Sequence, residues 1–314
     1  MFTSIAQAVG NTPLVALDRI SRGLPGRVAV KLEYFSPGGS IKDRPALESL
    51  LEAERSGKLR KGQYVVEKTS GNMGGGLAWA CAVLGYKFIA VLSAGNTPER
   101  AQMIRAFGAK VEIVPQVKGG KPGQVSREDL EAVDVRTKAL VKKYKAYRPD
   151  QFNNPSSVRA HERGTGPEIW KQTEGKVTHF VSFVGSSGTL IGTAKALKAR
   201  NTTIQCFAGE PAKVQFLAGK RFSTTAHVIQ GGGYAQRPGI YDEALVDGTI
   251  PVTDAEALRT ARLLAQKEGI MGGYSSGANV AAALKLAKTC KRGSLIVTIC
   301  CDTGLKYLST DLYR

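Results

Sequence analysis

The sequence predicts an α/β protein of two open, twisted, mainly parallel sheets, each with helices on both faces. Three observations carry this reading. Short β-rich runs alternate with helical patterns, the arrangement that joins parallel strands through crossover helices. The alternation comes in two series, one on either side of Asn153 and Asn154. The 314 residues also suit two domains or one large α/β unit rather than a small stapled scaffold.

The first series opens with "PGGSIKDRPALESLL", a glycine turn leading into a helix that either Ser40 or Asp43 caps, with Pro45 tolerated in the first turn. "QYVVE" (63–67), "KFIAVLS" (87–93) and "KVEIVP" (110–115) read as short buried strands. Between them, 72–85 and 97–108 have helical spacing and end on glycine, a residue suited to a helix C-cap. The lysine- and glycine-rich stretch 115–129 reads as a loop. In the second series, "GTGPEIWKQTEG" reads as helix, 179–185 as strand, 188–199 as helix and "TIQCFAGEP" as strand. The helices "DAEALRTARLLAQKEG" and "SSGANVAAALKLAKTC" follow, then the strand "SLIVTICCD".

Composition narrows the function classes. No segment approaches the roughly 20 apolar residues needed to cross a bilayer, and the N-terminal stretch lacks the basic flank and long apolar core of a secretion signal. A soluble, cytoplasmic protein with no membrane partner is expected. Five cysteines without CxxC spacing argue against a disulfide framework or a zinc ribbon, and three scattered histidines give no metal motif. The net charge of +18 can attract nucleic acid, anionic lipid or an acidic small molecule. Most of the lysines and arginines lie singly on helical faces. Even the densest cluster, "RTKALVKKYKAYR", reads as a solvated face, and nucleic acid is not expected as a partner.

Three strand-to-helix turns carry candidate chemistry, because ligands of open α/β sheets gather beyond the carboxyl ends of the strands. In "FVGSSGTLIG", Gly185, Ser186, Ser187, Gly188 and Thr189 precede a helix. Free N–H groups and the positive end of the helix make this a phosphate cradle, or else a plain tight turn. In "VVEKTSGNMGGG", Thr69, Ser70, Gly71 and Asn72 supply hydroxyls, an amide and backbone donors for an anionic oxygen, or form an ordinary N-cap. Lys42 stands at the mouth of the helix after "PGGSI", where the dipole disfavours a cation and biases the amine toward its neutral, nucleophilic form. The alternative there is a solvent-facing lysine.

Taken together, "NTPLVAL", "GGSIKDRPA", "TSGNMG", "QFNNPSS", "GTGPEIWKQTEG", "GSSGT", "GGYSSGANVAAALKL" and "CDTGLKYLST" resemble the cysteine synthase and cystathionine β-synthase family, in the order found there, from about Asn11 to Thr310. The resemblance implies the pyridoxal-phosphate fold type II, with the cofactor between a smaller mobile domain (36–152) holding the substrate carboxylate loop and a larger one (1–35 and 153–314) holding the cofactor phosphate loop. It implies that Lys42 forms the Schiff base, that Asn72 bonds the ring hydroxyl, and that Gly185, Ser186, Ser187, Gly188 and Thr189 hold the phosphate. It likewise places Ser275 opposite the pyridine nitrogen, and Thr69, Ser70, Gly71, Met73 and Gln151 around the substrate. A neutral hydroxyl at Ser275 leaves the ring a mild electron sink, which suits β-elimination.

The implied activity is β-replacement on an O-activated L-serine, O-acetylserine or O-phosphoserine, through an α-aminoacrylate, in a homodimer. Met73 departs from the family's common threonine, "CDTGLKYL" from the common "PDSGERYL", and "GGGYAQRPG" from the usual "GIGAGFIP". These departures point toward a substrate pair other than acetylserine and sulfide. Neither a haem-binding extension nor a C-terminal regulatory module is expected. Competing readings are the same chemistry with a non-sulfide nucleophile, a serine/threonine dehydratase or racemase ("TSGNMG" differs from the "SSGNH"-like turn of dehydratases), and a catalytically silent binding protein.

Overall fold

The computed structural model describes residues 1–69, 71–119 and 125–314. Its strands are β1 (Leu14–Ala16), β2 (Arg27–Leu32), β3 (Tyr64–Lys68), β4 (Lys87–Ser93), β5 (Lys110–Val114), β6 (His179–Phe183), β7 (Gln205–Pro211), β8 (Gly248–Val252) and β9 (Leu295–Cys300). Its α-helices are α1 (Asp43–Arg55), α2 (Asn72–Leu84), α3 (Pro98–Ala106), α4 (Arg127–Tyr144), α5 (Ser156–Ala160), α6 (Gly166–Gln172), α7 (Gly188–Lys198), α8 (Asp254–Glu268) and α9 (Tyr274–Thr289).

The strands form a six-stranded sheet in the order β1-β2-β9-β6-β7-β8 and a three-stranded sheet in the order β3-β4-β5. Every pairing is parallel except that of β1 with β2. Both sheets are covered twice. Beneath the larger one, Val28, Val30, Ala261, Leu264 and Ala282 form a core with α8 and α9, and Phe180, Leu190, Leu197 and Val297 form another with α6 and α7. The smaller sheet packs Leu50, Leu77 and Ile104 on one face, and Val66, Val91, Val133 and Leu140 on the other. Burial on both faces explains why these strands read as continuous apolar runs.

Boundaries agree with the sequence within a residue or two, and the exceptions have physical causes. Helix α4 starts at Arg127, inside the stretch expected to be loop, because Ser126 and Asp129 close a reciprocal capping box; residues 120–124 of that stretch lie outside the described residues. Helix α1 uses neither expected cap. Ser40 Oγ accepts only from the Lys42 N–H at 3.3 Å, while the Asp43 carboxylate accepts from Gly38 N–H and Trp79 Nε1 at 2.6 and 3.0 Å. Strands β1, β2 and β8, helix α5 and the π-helical turn His161–Thr165 were not read from the sequence, being short or built around buried charge.

That buried charge is concentrated at one junction. Arg44 on α1 is buried and holds Glu33 through Nε and Nη2 at 2.7 and 2.9 Å, and Glu168 on α6 through Nη1 and Nη2 at 2.7 and 2.8 Å. Lys31 on β2, with no exposed surface, reaches Glu168 at 2.8 Å and the Thr12 carbonyl at 2.8 Å. Helix α1 is thereby tied to the larger sheet. From the other side, the glycines of α2 let it press on the start of α1: a Cβ on Gly76 would lie 2.9 Å from both the Lys42 carbonyl oxygen and Ala46 Cβ. Replacing Gly76 by alanine is expected to cost about 1–3 kcal/mol through overpacking, read as a lowered urea midpoint with unchanged slope; an unchanged midpoint contradicts this account of the α1–α2 contact.

Candidate active site

The segments after β2, β3, β6 and β9 converge on a cleft lined by Lys42, Asn72, Met73, Gln151, Gly185, Ser186, Ser187, Thr189 and Ser275, with Arg100 of α3, Cys301 and Tyr307 completing its wall. Nine of the residues singled out from the sequence are thus brought together. Of the others, Gly188 is the first residue of α7 and touches Ser157, where a Cβ would meet the backbone at 3.0 Å. Thr69 lines an adjoining cavity together with Gln151. Gly71 caps α2 at φ +133°, a conformation favouring glycine. Ser70 lies outside the described residues.

Lys42 is half-buried at the N-cap of α1, and desolvation lowers its pKa from the ordinary 10.5 despite the opposing pull of Cys301 and Asp302. The positive end of the α1 dipole acts in the same direction. Thr69 does the work of a cap: its hydroxyl oxygen accepts from Gly71 and Gly74 N–H at 3.1 and 2.8 Å. Its hydroxyl hydrogen can still be donated to an anion.

Asn72 is held at both ends of its amide. Nδ2 donates to Asp302 Oδ2 at 2.7 Å, and Oδ1 accepts from Lys306 Nζ at 3.0 Å. Lys306 also donates to the Gly38 and Gly39 carbonyls at 3.0 and 3.2 Å, so one buried ammonium ties the turn before Lys42 to the amide of Asn72. Tyr307 donates to Asp302 Oδ2 at 2.6 Å, and the Arg100 guanidinium sits 5.5 Å from its ring centre. Asp302, Lys306 and Tyr307 were missed in the sequence, although they lie in "CDTGLKYL", which departs from the family's common motif. Their signal was the pairing of a carboxylate with a lysine four residues on, which alone says nothing of Asn72.

The turn 185–189 has the features of an anion cradle. Ser187 adopts φ +68°, α7 has no acidic residue in its first turn, and a Cβ on Gly185 would overlap the Gly231 carbonyl. The first N–H groups of α7 have no partner in the preceding turn of a helix and are available to a phosphate. Thr189 Oγ1 lies 3.3 Å from His161 Nε2, and burial holds that imidazole neutral by lowering its pKa. Ser275 faces the cleft from the first turn of α9 beside Cys301, whose thiol burial pushes up to about 12, so both remain neutral at physiological pH. An electrophilic aldehyde with a phosphate fits this donor set: an amine biased toward neutrality, an anion cradle, and neutral groups for a ring between them. Among the described residues no group of His, Cys, Asp and Glu is arranged to hold a metal ion.

Comparison with known proteins agrees with the geometry. The family model described as pyridoxal-phosphate dependent enzyme matches residues 5–302. The chain is 42% identical to cysteine synthase 3 of Caenorhabditis elegans, covering 100% of this chain and 90% of that protein. It is 38% identical to the cysteine synthase of Staphylococcus aureus, covering 99% and 96%. Among solved structures, that of O-ureido-L-serine synthase superposes with a TM-score of 0.90 at 37% identity, covering 100% of this chain and 95% of the other.

Because desolvation favours its neutral form, Lys42 is expected to react with an amine-directed reagent with a pH midpoint below 10.5. Competitive labelling followed by peptide mass analysis reads the midpoint. A value at or above 10.5 contradicts the desolvation argument.

Proposed function

The chain belongs to the pyridoxal-phosphate-dependent enzyme family as a β-replacing enzyme, and we propose that it exchanges the β-substituent of O-acetyl-L-serine, or of O-phosphoserine, for a sulfur nucleophile. The observation that carries this reading is the convergence of Lys42, Asn72, Ser275 and the turn 185–189 on one cleft. When bound, the cofactor supplies the aldehyde that captures the amino acid and the ring that accepts electron density from Cα.

We assign the remaining work to side chains. The backbone N–H groups of residues 185–189, with the Thr189 hydroxyl, hold the phosphate. Asn72 keeps one N–H free for the ring hydroxyl, since only one is spent on Asp302. Ser275 gives the ring nitrogen a neutral partner. Lys42, in its neutral form, takes the proton from substrate Cα and returns it there after the nucleophile has added at Cβ. Thr69, Ser70, Gly71 and Gln151 orient the substrate carboxylate, with Met73 as an apolar wall. Residues 36–152 form the domain that closes over the substrate and excludes water, against a second domain of residues 1–35 and 153–314.

We place the protein in the cytoplasm as a homodimer. All five cysteines are free thiols, as befits a reducing compartment, and no helix among the described residues is long and apolar enough to cross a membrane.

The reading is tested by supplying the holoenzyme with O-acetylserine and sulfide. Acetate and cysteine are expected in equal amounts, and Lys42→Ala is expected to lower the rate by about 10²–10⁴. Release of keto acid without an added nucleophile, at the rate seen with one, points instead to a dehydratase.

A further inference from the structure

Part of the +18 net charge is gathered at one place in the fold. Strands β3, β4 and β5 are parallel, and the cleft lies beyond the carboxyl end of β3, so their amino ends face away from it. Lys87 and Lys110 are the first residues of β4 and β5, Arg60 and Lys61 lie in the turn entering β3, and Arg105 lies in the last turn of α3. Helix α4 ends at the same place: the Tyr144 ring centre is 4.7 Å from that of Tyr64, and the Lys145 carbonyl accepts from Gln63 Nε2 at 2.7 Å. It adds Lys142, Lys143 and Lys145.

All eight of these cations are exposed, and none forms a salt bridge among the described residues. The acids at this end are few. Glu54 lies beside Tyr86, and Glu112 is already engaged by Arg136 at 2.6 Å. The carboxyl ends of α1, α2, α3 and α4 also lie here, each worth roughly half a negative charge. Together with Glu54 they offset about three of the eight, and positive charge remains in excess. Two ammoniums are held over aromatic rings, Lys87 Nζ 5.5 Å from the Tyr64 centre and Lys143 Nζ 5.4 Å from that of Tyr144. A ring positions an ammonium without using all three of its N–H donors. Beside them Arg105, Lys110 and Tyr144 border a groove of about 390 Å³ with an apolar floor of Ile89, Val111 and Leu140; the paired Glu112 lines it too.

We propose that this end of the smaller sheet binds single-stranded nucleic acid, with phosphates on Lys87, Lys110 and Lys143 and a base in the groove against Tyr144. The binding is independent of the β-replacement reading, since none of these residues lines the cleft. A phosphate chain supplies charge at repeated intervals, and every base has an apolar face that fits an aromatic-walled groove whatever the sequence. A duplex keeps its bases paired and stacked inside and cannot place one there. An acidic protein segment would match the charge and leave the groove without a role. Along the chain "RTKALVKKYKAYR" reads as a solvated face, because only the fold adds the cations of the three strand entries and of α3 to it.

The test follows the fluorescence anisotropy of a labelled oligouridylate of about 12 nucleotides titrated with holoenzyme. With three phosphates held, the plot of log affinity against log salt is expected to have a slope of about −2. Reversing two cations in Lys87→Glu/Lys143→Glu is expected to weaken binding tenfold or more and to flatten that slope by about 1.4. The same change of charge at exposed residues on the larger sheet, Lys291→Glu/Arg292→Glu, is expected to leave affinity within about twofold. Tyr144→Leu is expected to weaken oligouridylate binding about tenfold and to leave inorganic polyphosphate unaffected. Turnover with O-acetylserine and sulfide, unchanged in each variant, reports that the fold is intact. Absence of oligouridylate binding overturns the proposal, as does an equal loss in the two double variants, which would show net charge acting alone. Polyglutamate or phosphatidylserine vesicles bound as tightly as the oligonucleotide, with Tyr144→Leu without effect, assign the surface to an acidic protein or a membrane instead. Each of these results leaves β-replacement standing.

Discussion

The structure depends most on the burial of Arg44 between two carboxylates. A guanidinium removed from water costs several kcal/mol unless its donors are used, and here Glu33 and Glu168 use them in paired geometry. Taking either carboxylate away would leave a charge stranded in the interior. The arrangement therefore has one low-energy form, which sets the N-terminus of α1 against β2 and α6. Lys42 is two residues upstream, so its position is inherited from a salt-bridge network it does not join.

A second network closes on the same turn from the other side. Lys306 bonds the carbonyls of Gly38 and Gly39 and the amide of Asn72, and Asp302 accepts from the far end of that amide. Asp43 adds bonds from Gly38 N–H and Trp79, and burial pushes its carboxyl up to about 6. Lys42 thus faces the cleft while Lys306, Asp302 and Asp43 beside it are committed to structure. Such a group is a poor contributor to stability and a good nucleophile, because burial penalises its charged form alone. Fixed neighbours with one poised amine are what a site needs if its geometry is to survive repeated turnover.

How much of this was legible in the sequence differs from element to element. The strands of the smaller sheet were visible because both faces are apolar, and 87–93 matched β4 residue for residue. The turns 69–72 and 185–189 and the glycine turn before Lys42 were visible because small and polar residues end strands there. Their assembly into one cleft could be drawn only from resemblance, since periodicity does not say which loops meet. The start of α4 was obscured by lysines and glycines nearby, although Ser126 and Asp129 carried the capping signal at the right spacing. Least legible were Lys306 and Arg44. A charged residue in sequence reads as surface, and only the packing of distant segments shows that these two are interior.

The central claim is that Lys42 is the amine the cofactor aldehyde binds. The most direct measurement is to load the protein with pyridoxal phosphate, reduce it with borohydride, digest it and locate the pyridoxyl group by peptide mass. The account predicts a single modified peptide carrying the group on Lys42, lost in Lys42→Ala. A pyridoxyl group found on another lysine with Lys42 unmodified, in protein that retains the absorbance of the bound cofactor, would contradict it.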